Sequence, residues 1–166
     1  RQVFRPTTDQ KLYCFADASL SPTGNKSHQG VAIYWGDNLV AWQSSRQSLV
    51  ALSSAEAELI ACVTGGQLSV ALQMQMSEYM QGKIPLVLRC DNTAVGHVVQ
   101  HLSSSSTRTR HLAMRAACLH DMVSREHIGF QYVPAADQRA DSLTKGLGAL
   151  SHGKACEHLC LGRLQD

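Results

Sequence analysis

The stretch Ala51-Leu52-Ser53-Ser54-Ala55-Glu56-Ala57-Glu58-Leu59-Ile60-Ala61 is where the chain changes its period. Upstream, apolar residues come in short runs. From here onward Leu52, Ala55, Leu59, Cys62, Val63 and Val70 recur at helical spacing. Ser54 ahead of Glu56 and Glu58 reads as an N-cap followed by acidic first-turn residues, both favourable at the positive end of a helix. The helix runs towards Met80, with a kink or break expected at Gly65-Gly66, and Gly82 and Pro85 punctuate its end.

Working back from this helix, residues 11–17 (KLYCFAD) form an apolar and aromatic run that ends in a carboxylate. Ser19 to Gln29 is polar and glycine-bearing, hence a loop. Val31-Ala32-Ile33-Tyr34-Trp35 and Leu39-Val40-Ala41-Trp42, joined by Gly36-Asp37-Asn38, read as a β-hairpin. Working forward, Leu86-Val87-Leu88-Arg89-Cys90-Asp91 is a strand that also ends in a carboxylate. Thr93 to Leu102 reads as a short helix, Ser103 to Ser106 as a loop, and Arg110 to Arg125 as a longer helix. Ile128 to Val133 is a last strand, stopped by Pro134, and Asp137 to Leu147 a last helix carrying Asp141. The order βββ-α-β-α-α-β-α describes one α/β domain with a mixed sheet over residues 1–148, its core at 11–147. Residues 149–166 form a tail with at most a helical turn.

Composition excludes several classes. The 166 residues are 44% hydrophobic and 17% charged, with 15 Lys+Arg against 13 Asp+Glu, a net charge of +2. A disordered chain would be poorer in apolar residues. No apolar run approaches the ~20 residues needed to span a bilayer, so no membrane partner is expected. The N-terminus is no signal peptide and has no initiator Met, as expected for a piece of a longer polypeptide. Six cysteines lie among apolar neighbours without disulfide-framework spacing, which points to a reducing, intracellular compartment. A pI near 8.3 permits a polyanionic partner without demanding one.

Asp17 and Asp91 carry the chemistry first. Each ends a strand, and ligands of open α/β sheets bind at that edge. Two carboxylates on adjacent parallel strands repel unless a cation neutralises them, and such a set suits a hard ion such as Mg2+ better than zinc. Taken alone, two surface aspartates would be the more ordinary reading; further carboxylates at the helix start and in the last helix change it. His152, Cys156, His158 and Cys160 in the tail fit no standard zinc spacing and read as incidental.

Four segments resemble the motifs of the ribonuclease H domain, especially that at the C-terminal end of copia-type retrotransposon reverse transcriptases. They are Phe15-Ala16-Asp17-Ala18, residues 51–61, Cys90-Asp91-Asn92, and Asp137-Gln138-Arg139-Ala140-Asp141-Ser142-Leu143-Thr144-Lys145. Thr109-Arg110-His111-Leu112 resembles a further short motif. The resemblance implies a ribonuclease H-like fold, a five-stranded mixed sheet flanked by helices. It also implies a metal centre of Asp17, Glu58, Asp91 and Asp141 as both catalytic residues and metal ligands. Glu56 and Glu58 lie about 200° apart around a helix, so both cannot face one site. Both border the apolar stripe, and only the family pattern Ala-Glu-Leu-Ile-Ala selects Glu58.

The implied activity is endonucleolytic hydrolysis of the RNA strand of RNA–DNA hybrids by two Mg2+ ions, with Mn2+ as a substitute, leaving 5′-phosphate and 3′-hydroxyl ends. Ala18, Ser19, Asn92 and Thr93 occupy the positions that read 2′-hydroxyls, although Ser19 and Thr93 suit turn and N-cap chemistry equally well. Arg108, Arg110, His111 and Arg115 would hold phosphates, with Arg46 and Lys145 as weaker candidates. The implied partner in the parent polyprotein is a reverse transcriptase polymerase domain. Two features depart from cellular ribonucleases H: no histidine precedes Asp141 in residues 133–137, and no Lys/Trp-rich handle lies between Gly66 and Pro85. The alternative is a non-catalytic nucleic-acid-binding or connection module of the same fold, and an integrase-like polynucleotidyl transferase ranks third. Connection modules usually lose an acidic position, and here all four are carboxylates.

Overall fold

The structure, a computed structural model, describes residues 2–21, 25–100, 110–125 and 128–161. Five strands form one sheet in the order β3-β2-β1-β4-β5: β1 (Leu12–Ser19), β2 (His28–Trp35), β3 (Asn38–Arg46), β4 (Leu86–Cys90) and β5 (Gly129–Tyr132). β1, β2 and β3 pair antiparallel, whereas β1, β4 and β5 pair parallel. The expected mixed sheet is present. β1 is central and buried along nearly its whole length, so it reads as an apolar run with no alternation.

The helices are α1 (Ser54–Met80), α2 (Thr93–Gln100), α3 (Arg110–Ser124) and α4 (Ala149–His158). On one face of the sheet, Leu12, Cys14, Ala16, Val31, Ile33 and Leu88 pack with Ile60, Ala61 and Cys62 of α1 and Leu119 of α3. On the other, Phe15, Ala32, Tyr34, Leu39 and Ala140 form a smaller cluster. The Phe15 and Tyr34 rings meet edge to face, 5.5 Å apart. Arg89 lies over Tyr13 at 4.1 Å and Arg139 over Tyr34 at 4.8 Å, so cations stacked on rings complete this second layer.

Four local expectations are corrected. Ser53, and not Ser54, is the N-cap of α1. Its hydroxyl accepts from the Glu56 N–H at 3.1 Å while Glu56 Oε2 accepts from the Leu52 N–H at 2.9 Å, an arrangement close to a capping box. Gly65-Gly66 does not break α1, which continues through 27 residues. A Cβ on Gly65 would meet Cys14 Sγ at 3.0 Å and one on Gly66 the Met122 Cε at 3.1 Å. These glycines let α1 approach β1 and α3, and that packing outweighs a propensity penalty of ~1 kcal/mol each.

Residues 137–147 do not form an α-helix. They fold as two single 3-10 turns, Ala135–Asp137 and Asp141–Leu143, because ties to the sheet outcompete helical hydrogen bonds. Gln138 Nε2 donates to Ala16 O at 2.9 Å, and Ser44 Oγ donates to Leu143 O at 2.7 Å. Residues 149–158, expected to supply only a turn, are the ten-residue helix α4. Its end is held by Tyr34, whose hydroxyl donates to His158 O at 2.8 Å.

Candidate metal centre

β1 and β4 run side by side with Phe15 opposite Arg89. Two residues further along each chain stand Asp17, still within β1, and Asp91, just past the end of β4. Parallel pairing therefore brings the two aspartates level at the C-terminal edge of the sheet. Glu58 reaches the same edge from the second turn of α1, and Asp141 comes from the 3-10 turn docked on β2 and β3. Among the described residues, the ligand atoms of Glu58, Cys90 and Asp91 all lie within 4.8 Å of one another. Asp17 lies outside that group: its Oδ2 accepts from Thr144 Oγ1 and stands 3.9 Å from Lys145 Nζ, which also contacts Asp141 Oδ1.

Crowding shows in the proton affinities. Burial, with Asp17, Cys90 and Asp91 nearby, pushes the Glu58 carboxyl up to about 9, while a hydrogen bond from the Ala18 N–H pulls it down. Asp17 is 1% exposed; burial raises it, the Thr144 hydroxyl and Lys145 pull it down, and Asp141 and Asp91 raise it again. Burial lowers the Lys145 ammonium, but the bond to Asp141 and the charges of Asp17, Asp141 and Asp91 outweigh that effect and hold it high. Such a carboxylate set, short of positive charge, fits a hard divalent cation.

Glu56 and Glu58 are both buried, yet they diverge: Glu56 closes the helix cap, whereas Glu58 faces Cys90 and Asp91. Of the remaining candidates, Ala18 is 8% exposed and gives its N–H to Glu58, and Ser19 is half-buried. Capping of α2 falls to Asn92, whose Oδ1 accepts from the Ala94 N–H at 2.9 Å, and Thr93 stays exposed. Arg108 and the serine loop lie outside the described residues, and Arg110 and His111 are described only as the start of α3. Arg115 is half-buried, its Nε without a hydrogen-bond partner among the described residues. Arg46 ends β3, exposed and opposite His28.

The sequence reading missed Cys90 and Thr144 as neighbours of the centre. Cys90 precedes Asp91, and alternation sends its thiol to the α1 face, where it donates to Glu58 Oε2 over a long 4.0 Å. All six cysteines are free thiols. No helix among the described residues is long and apolar enough to cross a membrane.

No known protein-family profile matches the chain. It is 29% identical over 135 residues, 81% of its length, to the retrovirus-related Pol polyprotein of transposon TNT 1-94 from Nicotiana tabacum, and spans about 10% of that relative. Its backbone is similar to the N-terminal ribonuclease H domain of a Mycobacterium tuberculosis protein, with a TM-score of 0.61, 16% identity, and coverage of 90% of this chain and 95% of that one. It is also similar to LC11-RNase H1, solved in complex with an RNA/DNA hybrid, with a TM-score of 0.62, 17% identity, and coverage of 80% and 93%. The chain thus has the ribonuclease H-like fold and, over about four-fifths of its length, is related to the Pol polyproteins of copia-type plant retrotransposons.

Proposed function

We propose that this chain is an endoribonuclease that hydrolyses the RNA strand of RNA–DNA hybrids, within a retrotransposon polyprotein that also carries a reverse transcriptase polymerase domain. The observation that carries this reading is the convergence of Asp17, Glu58, Asp91 and Asp141, from two parallel strands, a helix and a docked turn, on one edge of the sheet. The fold supports it, as does LC11-RNase H1, a solved relative in fold that holds an RNA/DNA hybrid.

In this reading the four carboxylates hold two divalent cations, Mg2+ or Mn2+, which when bound acidify an attacking water and stabilise a leaving 3′ oxygen. The carboxylates act as ligands and need not take the proton themselves. Thr144 orients the Asp17 carboxylate through its hydroxyl, and the Ala18 N–H orients that of Glu58. Burial of Asp17 and Glu58 keeps competing water from these oxygens. Asn92 caps α2 and so fixes the backbone beside Asp91. Hydrolysis supported in this way would leave 5′-phosphate and 3′-hydroxyl ends.

The test incubates the purified chain with end-labelled RNA–DNA hybrid, double-stranded RNA and double-stranded DNA, with and without Mg2+ or Mn2+. The expected result is cleavage of the RNA in the hybrid alone, and only with a divalent cation. Hybrid binding without cleavage under any of these conditions would replace this reading with that of a non-catalytic binding module.

A further inference from the structure

We propose that Lys145 is a tethered counter-ion of the metal centre, a monovalent placeholder that a divalent cation must displace from Asp141 and Asp17. This rests on the reading of those two aspartates as metal ligands, and it adds a determinant of how tightly the centre takes its cation. Lys145 Nζ contacts Asp141 Oδ1 and stands 3.9 Å from Asp17 Oδ2. Among the ion pairs of the described residues, it is the cation that reaches these carboxylates.

The tether is short and its root is fixed. The N–H groups of Thr144 and Lys145 both donate to Asp141 O, each at 3.2 Å, so the backbone under the ammonium turns with the aspartate. That turn cannot drift from the sheet. Ser44 and Gln138 hold it, and it lies so close to Gly30, the residue paired with Asp17, that a Cβ there would come within 2.7 Å of Leu143 Cβ. The side chain itself is 45% exposed, so the ammonium has room to swing into solvent. An ammonium carries one charge on a flexible stem, whereas the carboxylates together present more negative charge than it can neutralise. It therefore offsets repulsion in the cation-free chain and yields to a divalent ion at sufficient concentration. Thr144 differs: its hydroxyl donates to Asp17 Oδ2 but carries no charge for a cation to displace.

The experiment titrates MgCl2 and, separately, MnCl2 into the parent chain, Lys145→Met, Lys145→Arg and Asp141→Asn. Cation binding is followed by calorimetry and by the rise in melting temperature, with no substrate present. Without divalent cation, Lys145→Met should melt below the parent. It should then bind Mn2+ up to about fivefold more tightly, the scale expected for removing one partly exposed competing charge. Lys145→Arg should behave as the parent does, and Asp141→Asn should bind more weakly. A purely structural lysine would lower the melting temperature without tightening cation binding. If Lys145→Met binds no more tightly than the parent while both are stabilised by cation, the placeholder inference is overturned and the metal centre stands. If no chain is stabilised at all, the metal-centre reading fails and takes this inference with it.

Discussion

Asp91 stands just past β4, where the parallel pairing sets it level with Asp17. Asp91→Asn keeps its size but removes an anionic group of the proposed metal centre. It should fold as the parent does, lose most of the Mg2+-linked rise in melting temperature, and cut hybrid RNA at least about a hundredfold more slowly, as expected on removal of charge stabilisation in the transition state. The two glutamates separate by the same logic. Glu58→Gln should abolish cleavage. Glu56→Gln keeps an acceptor for the Leu52 N–H and should cleave normally, whereas Glu56→Ala should also cleave but lose ~1 kcal/mol of stability with the cap. Glu58 also predicts a pH dependence. Its carboxyl moves from an ordinary 4.5 to about 9 on folding, so the native chain binds more protons than the unfolded one across that window. Cation-free stability should accordingly fall as pH rises from 4.5 towards 9, and the stabilisation by Mg2+ should grow over the same range. Melting temperatures at several pH values, in chelator and in Mg2+, check both slopes.

At the scale of elements, the turn that carries Asp141 depends on Gly30. A Cβ there would stand 2.7 Å from Leu143 Cβ and 2.9 Å from Ala140 O, and neither is the end of a flexible chain. Gly30→Ala should cost about 1–3 kcal/mol, as overpacking does, and should weaken cation binding because Asp141 shifts with the turn. Cation affinity equal to that of the parent would show that the turn tolerates the intrusion. Gly65 presents the opposite balance on α1. Alanine there gains ~1 kcal/mol of helix propensity, but its Cβ would press Cys14 Sγ at 3.0 Å and Ala16 Cβ at 3.3 Å. A glycine pair inside a helix reads in sequence as a break; here Gly65 faces the central strand and Gly66 faces Met122 of α3.

For the whole molecule, the second face of the sheet depends on the end of the chain. Leu159 and Cys160 pack on the Phe15–Tyr34 cluster, and Val3 N–H donates to Cys160 O at 2.8 Å, so both terminal segments close over that face. Ending the chain at residue 148 should uncover Tyr34 and Leu39, lower the melting temperature by roughly 5–10 °C, the shift for a few kcal/mol in a chain of this size, and increase binding of a hydrophobic dye. The proposed metal centre draws on the strand edge, α1 and the Asp141 turn, all before residue 148, so the shortened chain, below its melting point, should still be stabilised by Mg2+.

What the sequence determined by itself is what local pattern can encode. Apolar runs ending in Asp17 and Asp91 marked the two strands of the centre, and helical spacing after Ser53-Ser54 marked α1. The order of motifs carried the sheet architecture and the family resemblance, because the first three sit at one end of an element whose period is visible, β1, α1 and β4. The tertiary structure decided what depends on contacts distant in sequence. Glu56 and Glu58 occupy similar borders of the apolar stripe, and only the packing of α1 against β1 and β4 turns one to the cap and the other to the carboxylates. The stretch 137–147 carries helix-compatible residues, but its hydrogen bonds go to Ala16 and Ser44, more than ninety residues away in the chain, so no local period could announce two 3-10 turns. Lys145 is likewise an ordinary basic residue until that turn docks beside Gly30 and sets its ammonium between Asp141 and Asp17.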